Sequence, residues 1–141
     1  MDWETIQRVW LPLIAGLAGL GLIFRLSPGP HGTARAVGLV LALIGLAGVT
    51  VSRYTLGRSF SVAARATALV TGGIYSRIRN PIYVSGEIFL AGVVLILWRL
   101  EVLIFVLAII PVQLIRARRE AAVLEAKFGD AYREYRKRTW F

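Results

Sequence analysis

Glu87 is the only acid well inside an apolar run of this sequence. An ionisable group in such a setting either serves a binding or proton-handling site or is paired within the protein. Tyr83 precedes it by one helical turn, so on a helix the phenol and the carboxyl share a face and can address one cavity. The competing reading of Glu87 is a structural strut paired with an arginine. Further along, Gln113, Arg116 and Glu120 fall at i, i+3 and i+7, a polar stripe that begins inside another apolar run and leaves it. The neighbouring Arg118 and Arg119 read as a solvated helix face, whereas Arg116 adjoins the apolar run itself.

A second group of residues lies upstream. Leu69-Val70-Thr71-Gly72-Gly73-Ile74-Tyr75 is followed by Arg79-Asn80-Pro81-Ile82-Tyr83. The glycine pair offers free backbone amides and tolerates unusual torsions. Pro81 can open a helix, because the first turn needs no amide from it. A glycine pair, a helix start and flanking tyrosines suit a polar organic ligand without naming it.

Four apolar segments must position these groups: about 6–24, 36–51, 82–98 and 102–115. A bilayer core asks for roughly 20 apolar residues per helix, so the last two are short for a span. Only Arg99, Leu100 and Glu101 separate them, which predicts a tight helical hairpin. Trp3 and Trp10 stand where interfacial aromatics sit. Gly16, Gly19 and Gly21 in the first segment, and Gly45 and Gly48 in the second, lack the preceding strand and polar turn of a nucleotide loop. They read as small residues that let membrane helices approach closely. The fourth segment continues as a helix through Lys127, and Phe128-Gly129 supplies its stop. A short helix from Asp130 to about Arg138 then carries Tyr132 and Tyr135 on one side, able to roof a cavity.

Hydrophobic residues make up 57% of the 141 residues and charged ones 18%, with a net charge of +9. So small a fold cannot hide that much apolar surface from water, whereas a bilayer can take it. The basic residues flank the apolar runs, which argues against a nucleic-acid surface and for the positive-inside pattern. Arg53, Arg58, Arg65, Arg77 and Arg79 lie in one acid-free connection, and eight more basic residues follow from Arg116 onward. Both regions are expected on the cytoplasmic side, with the loop containing SPGPHG outside and both termini inside. With no cysteine there is no disulfide or thiolate chemistry. The lone His31 has no second ligand at metal spacing, and no metal site is expected. The N-terminus carries Asp2 and Glu4 and no cleavage motif, so no removable signal is expected. The fold class expected is all-α: one polytopic domain over 1–141, with about four transmembrane helices and a cytoplasmic C-terminal helical extension.

In order and spacing, the second half resembles the isoprenylcysteine carboxyl methyltransferase and phospholipid methyltransferase superfamily. The residues that carry the resemblance are 69–75, Arg79-Asn80-Pro81-Ile82-Tyr83, Arg116 with Glu120, and Phe128-Gly129-Asp130-Ala131-Tyr132-Arg133-Glu134-Tyr135; Leu56-Gly57-Arg58-Ser59-Phe60-Ser61 fits the same style. The resemblance covers about 56–135. The first two segments match only as generic membrane helices.

It implies S-adenosylmethionine as cofactor, held between the loop and the C-terminal helices without a Rossmann fold. Leu69, Val70, Tyr75, Asn80, Pro81, Tyr83 and Glu120 are the implied cofactor contacts, with the Gly72-Gly73 loop, Tyr132 and Tyr135 completing the site. Arg116 is the implied partner of the methyl acceptor. A carboxylate suits an ammonium or ribose hydroxyls, and an arginine suits an anionic group. The polar track of Tyr83, Glu87 and Gln113 toward the bilayer interior predicts an amphiphilic acceptor, a lipid or an isoprenoid or prenylated carboxylate, entering sideways between helices, with Glu87 orienting it or taking its proton. The sequence departs from the superfamily pattern at Asn80, where a histidine is usual, at Ala121, where a second glutamate is usual, and at Thr139-Trp140-Phe141, where relatives carry a Val-Pro stretch. The other functions in view are a sterol-reductase-type membrane enzyme using NADPH and a catalytically silent accessory protein.

Overall fold

The computed structural model describes residues 6–27, 32–57 and 69–141. Trp3, His31, Arg58 and Arg65 lie outside them, as does most of the Leu56–Ser61 motif. All regular elements among the described residues are helical. A π-helical turn, Ile6–Trp10, runs into α1, Leu11–Leu26. It ends just before Pro12, which cannot donate a helix hydrogen bond and crowds the carbonyl four residues back. Then come α2 (Thr33–Leu56), α3 (Pro81–Leu97), α4 (Leu100–Phe128) and α5 (Asp130–Arg138).

Helices α2 and α4 are long and apolar enough to cross a bilayer, and α1 and α3 are apolar but shorter. Helix α2 outruns its apolar segment at both ends, because the hydrophobic run marks lipid contact rather than the end of the backbone hydrogen bonds. The turn between α3 and α4 is also tighter than the separating residues 99–101 suggest. Trp98 itself takes the left-handed cap at φ 50°, Arg99 is extended, and α4 begins at Leu100.

The closest helix pair is α2 against α3, and glycine makes it so. A Cβ on Gly45 would lie 2.7 Å from the Ser85 carbonyl oxygen and overlap the Phe89 amide. One on Gly92 would overlap the Ala42 amide and lie 2.5 Å from the Gly38 oxygen. Gly48 receives the Ser85 hydroxyl in the same way. Backbone-to-backbone approach of this kind is how helices associate where lipid offers no hydrophobic drive. The expectation for the first apolar segment holds only at Gly16, which faces Leu46; Gly19 and Gly21 meet nothing within 4 Å.

Leu20, Ala42 and Ile96 form the buried centre, with Ile23, Phe24, Leu39 and Phe89 packed around it. Arg35 is buried beside this centre, its guanidinium 4.3 Å from the Phe24 ring centre, where the ring face offsets the loss of water. Helix α4 stays outside this core. It exposes Leu100, Ile104, Phe105, Leu107, Val112 and Ile115, an apolar surface that water would oppose and acyl chains would cover.

Candidate functional site

The polar residues converge where α3 begins and α4 leaves its apolar stretch. Pro81 opens α3 and is fully buried. The carbonyl of Asn80 accepts from the amides of Tyr83 and Val84, which starts the helix without a side-chain cap. One turn in, the Tyr83 hydroxyl donates to Glu120 Oε1 at 2.6 Å, joining α3 to α4 across 37 residues of sequence. Arg116, one turn before Glu120, also approaches the Tyr83 hydroxyl. The stripe at i, i+3 and i+7 therefore does face α3.

Helix α5 folds back over this junction. Gly129 makes the corner at φ 51°, and Arg133 ties it by bonding Glu125 at 3.0 Å and Asp130 at 2.7 Å. These contacts are solvent-exposed and contribute little individually. Burial of Tyr132 and Tyr135, 2% and 5% exposed, is what seats the helix. Their rings are 6.2 Å apart and tilted, and the Tyr135 hydroxyl donates to the Tyr75 carbonyl oxygen at 2.7 Å. Tyr75 is buried in turn by the 3₁₀ turn Gly73–Ser76, whose first residue needs the positive φ of 57° that glycine permits. Burial raises the Tyr135 hydroxyl to about 12 and pushes Tyr75 well above its usual range, the latter also through Tyr135, Glu120 and Tyr83 nearby. Burial raises Tyr132 as well, against the opposing pull of Arg79 and Arg136.

Of the residues expected in the site, Tyr75, Asn80, Pro81, Tyr83, Arg116, Glu120, Tyr132 and Tyr135 thus stand together. Leu69 and Val70 are half-buried and lead into the turn. Gly72 and Gly73 are exposed; Gly73 packs on Thr55 of α2, on the outer side of the same turn.

Glu87 and Gln113 line a different part of the same region. A partly open groove of about 320 Å³ runs between α3 and α4, bounded by Tyr83, Val84, Glu87 and Ile88 on one side and Ile110, Gln113 and Leu114 on the other, with Phe141 against it. Its walls are nearly all apolar. Glu87 Oε1 is buried there with no hydrogen-bond partner, so the structure gives no support to the arginine strut. Pro111 lies inside α4 beside the groove, where its missing N–H leaves the Leu107 carbonyl without the usual partner.

Sequence reasoning missed the C-terminal strap. Residues Trp140 and Phe141 run alongside 77–80: Trp140 N donates to Arg77 O at 3.0 Å, Arg79 N to Trp140 O at 3.2 Å, and Asn80 N to Phe141 O at 2.9 Å. The signal was present in Thr139-Trp140-Phe141, three residues that favour extended structure directly after a helix. Arg79 was read as a basic residue of the connection and as part of the Arg79–Tyr83 motif, without a role in the site. It bonds toward the Tyr132 hydroxyl, and its Nε is buried without a partner.

Apolar helices, two of them long enough to cross a bilayer, with a polar cluster at the end of two of them and a groove between them, fit a helical membrane protein. The phospholipid methyltransferase family model matches residues 33–131, from the first residue of α2 into α5. The chain belongs to this family of membrane methyltransferases. The match reaches back over all of α2, which the sequence motifs alone had left as a generic membrane helix. Comparison with curated proteins and with solved structures gives no match.

Proposed function

We propose that this protein transfers a methyl group from S-adenosylmethionine to the polar head of an amphiphile that stays in the bilayer. The observation that carries the reading is the continuity of two unlike surfaces. The Tyr83–Glu120 pair lies at the head of an apolar groove in whose wall Glu87 Oε1 is buried without a hydrogen-bond partner. A water-soluble acceptor has no use for such a groove, whereas a lipid tail fills it at a gain of about 25 cal/mol per Å² of apolar surface covered.

The residues present suit the cofactor. Glu120 spends one oxygen on Tyr83 and keeps lone pairs for an ammonium or ribose hydroxyls. The roof of Tyr75, Tyr132 and Tyr135 limits water. When bound, the cofactor supplies a methyl group already activated on a sulfonium, so the protein's task is mainly alignment in a dry site. Arg116 meets anionic parts of the acceptor, such as a phosphate. Glu87, unpaired in an apolar wall, favours a head that donates a hydrogen bond, a lipid amine or hydroxyl, over an isoprenoid carboxylate. An ammonium head gives its proton to Glu87 in the groove, and the neutral amine that goes on toward Glu120 takes the methyl.

In the membrane, the arrangement is four spans, α1 to α4, with the 57–80 connection, α5 and both termini on the cytoplasmic side, where their arginines and lysines belong. The whole chain then acts as one domain. Calorimetric titration of the purified protein in nanodiscs with S-adenosylhomocysteine and, separately, with NADPH tests the reading. Binding of the first alone is expected. Binding of NADPH alone would move the protein to the reductases, and binding of neither would leave an accessory role.

A further inference from the structure

The strap does more than close the fold. Phe141 is bonded through its main-chain oxygen to Asn80, the residue before α3, so its side chain meets the groove at the Tyr83 end and not at the deep end marked by Ile88 and Ile110. Tyr83 stands at that same end with its hydroxyl on Glu120. A head group passing from the groove toward Glu120 must therefore cross between the Tyr83 and Phe141 rings. Tyr83 is held by its hydrogen bond, and Phe141 by a backbone ladder to residues that also form the start of α3. The Tyr83 ring cannot swing away without breaking its bond, and the Phe141 backbone that carries the other ring is fixed beside it.

We propose that Phe141 is a specificity-determining residue: with Tyr83 it forms the aperture between the apolar groove and the polar site, and its ring sets how bulky a head group can pass. The inference rests on the methyl-transfer reading above. Trp140, in contrast, contributes only backbone to this structure, since its side chain is largely exposed and absent from the groove wall. Neighbouring positions of one strap thus have separable roles.

The experiment compares transfer of labelled methyl from S-adenosylmethionine to dodecylamine and to N-benzyldodecylamine, both in nanodiscs, by the wild type, Phe141→Ala, Phe141→Trp and Trp140→Ala. The expected result is a selectivity ratio, bulky over small by kcat/KM, that rises at least tenfold in Phe141→Ala, falls in Phe141→Trp and stays put in Trp140→Ala. Hydrogen exchange at the Arg79 and Asn80 amides reports whether the strap is in place, and S-adenosylhomocysteine affinity should be unchanged throughout. An unaltered ratio in Phe141→Ala, with those amides still protected, overturns the aperture and leaves the methyl-transfer reading standing. Parallel shifts in Phe141→Ala and Phe141→Trp would also overturn it, since a damaged strap has no direction. A wild type that binds S-adenosylhomocysteine yet methylates neither amine would overturn the amine-accepting reading and the aperture with it.

Discussion

Replacing Glu120 by alanine removes the carboxylate on which the proposed cofactor site depends. In the free protein, Oε1 takes the Tyr83 hydroxyl at 2.6 Å, a length that fits a bond to an ionised oxygen. The carboxylate retains further lone pairs for a ligand. Losing a hydrogen bond to a charged group costs about 1.5–3 kcal/mol, which is roughly 10- to 150-fold in the Kd of S-adenosylhomocysteine. Tyr83 is half-buried, so its freed hydroxyl can find water, and no large loss of stability should accompany the loss of binding. Tyr83→Phe removes only the bond that orients the carboxylate. A smaller loss follows, of about 1 kcal/mol. If Tyr83 acts solely through Glu120, the double variant binds no worse than Glu120→Ala alone; additive losses would show that the phenol meets the ligand itself. The assay is isothermal titration in nanodiscs, with helix content and thermal unfolding as controls. Unchanged affinity in a folded Glu120→Ala protein would remove this residue from the site and with it the reason for placing the cofactor there.

Other expectations follow from the same geometry. Arg116→Ala should abolish methyl transfer while keeping most S-adenosylhomocysteine affinity; equal loss of both, by the same titration and a transfer assay, would make Arg116 a support for the Tyr83–Glu120 pair. Gly45→Ala forces a Cβ into the α3 backbone and should lower thermal stability by at least about 1–3 kcal/mol, the usual cost of overpacking. Gly21→Ala has open space and should be neutral or slightly stabilising, since alanine favours the helix; equal effects at the two sites in thermal scans would refute the seam. Burial raises Tyr135 to about 12 from the ordinary 10 and raises Tyr75 and Tyr132 too, so the folded state keeps protons that the unfolded chain gives up above pH 10. Stability should be full below pH 10 and fall as pH climbs from there toward 12. Tyrosinate absorbance rising with a single midpoint near 10 in still-folded protein would contradict it.

What the sequence discloses is set by the physics of each part. Apolar runs announced the helices because bilayer-facing surface needs them. Phe128-Gly129 announced the α4–α5 corner because few residues other than glycine take a φ of 51°. The Tyr83–Glu120 encounter was half visible: the stripe at 113, 116 and 120 has a face, but nothing local says which helix it meets. The left-handed cap at Trp98 was invisible, since a bulky residue there signals no turn. The strap was half visible too, as three residues that favour extended structure directly after a helix. Its bonds depend on where α5 ends in space, and three residues carry too little pattern to say that.

The uneven packing of the bundle bears directly on its chemistry. Helices α2 and α3 are locked by backbone contacts at Gly38, Gly45 and Gly92, where the atoms met are main chain, and Gly48 seats the Ser85 hydroxyl beside them. Helix α4 has no such seam and presents most of its apolar surface outward. At the site end it is joined to α3 by the Tyr83–Glu120 bond, and through α5 by the Tyr135–Tyr75 bond and the strap. The groove is therefore a space between a rigid wall and a wall positioned by the site's own polar residues. On the proposed reading, lipid enters sideways by displacing contacts along α4 without opening the α2–α3 seam. On that reading, too, a ligand on Glu120 shares the carboxylate that Tyr83 bonds, so it bears on the contact that fixes the groove's width. Donor binding and acceptor fit are then coupled through one hydrogen bond, and loosening the clasp should weaken acceptor discrimination even where the donor still binds.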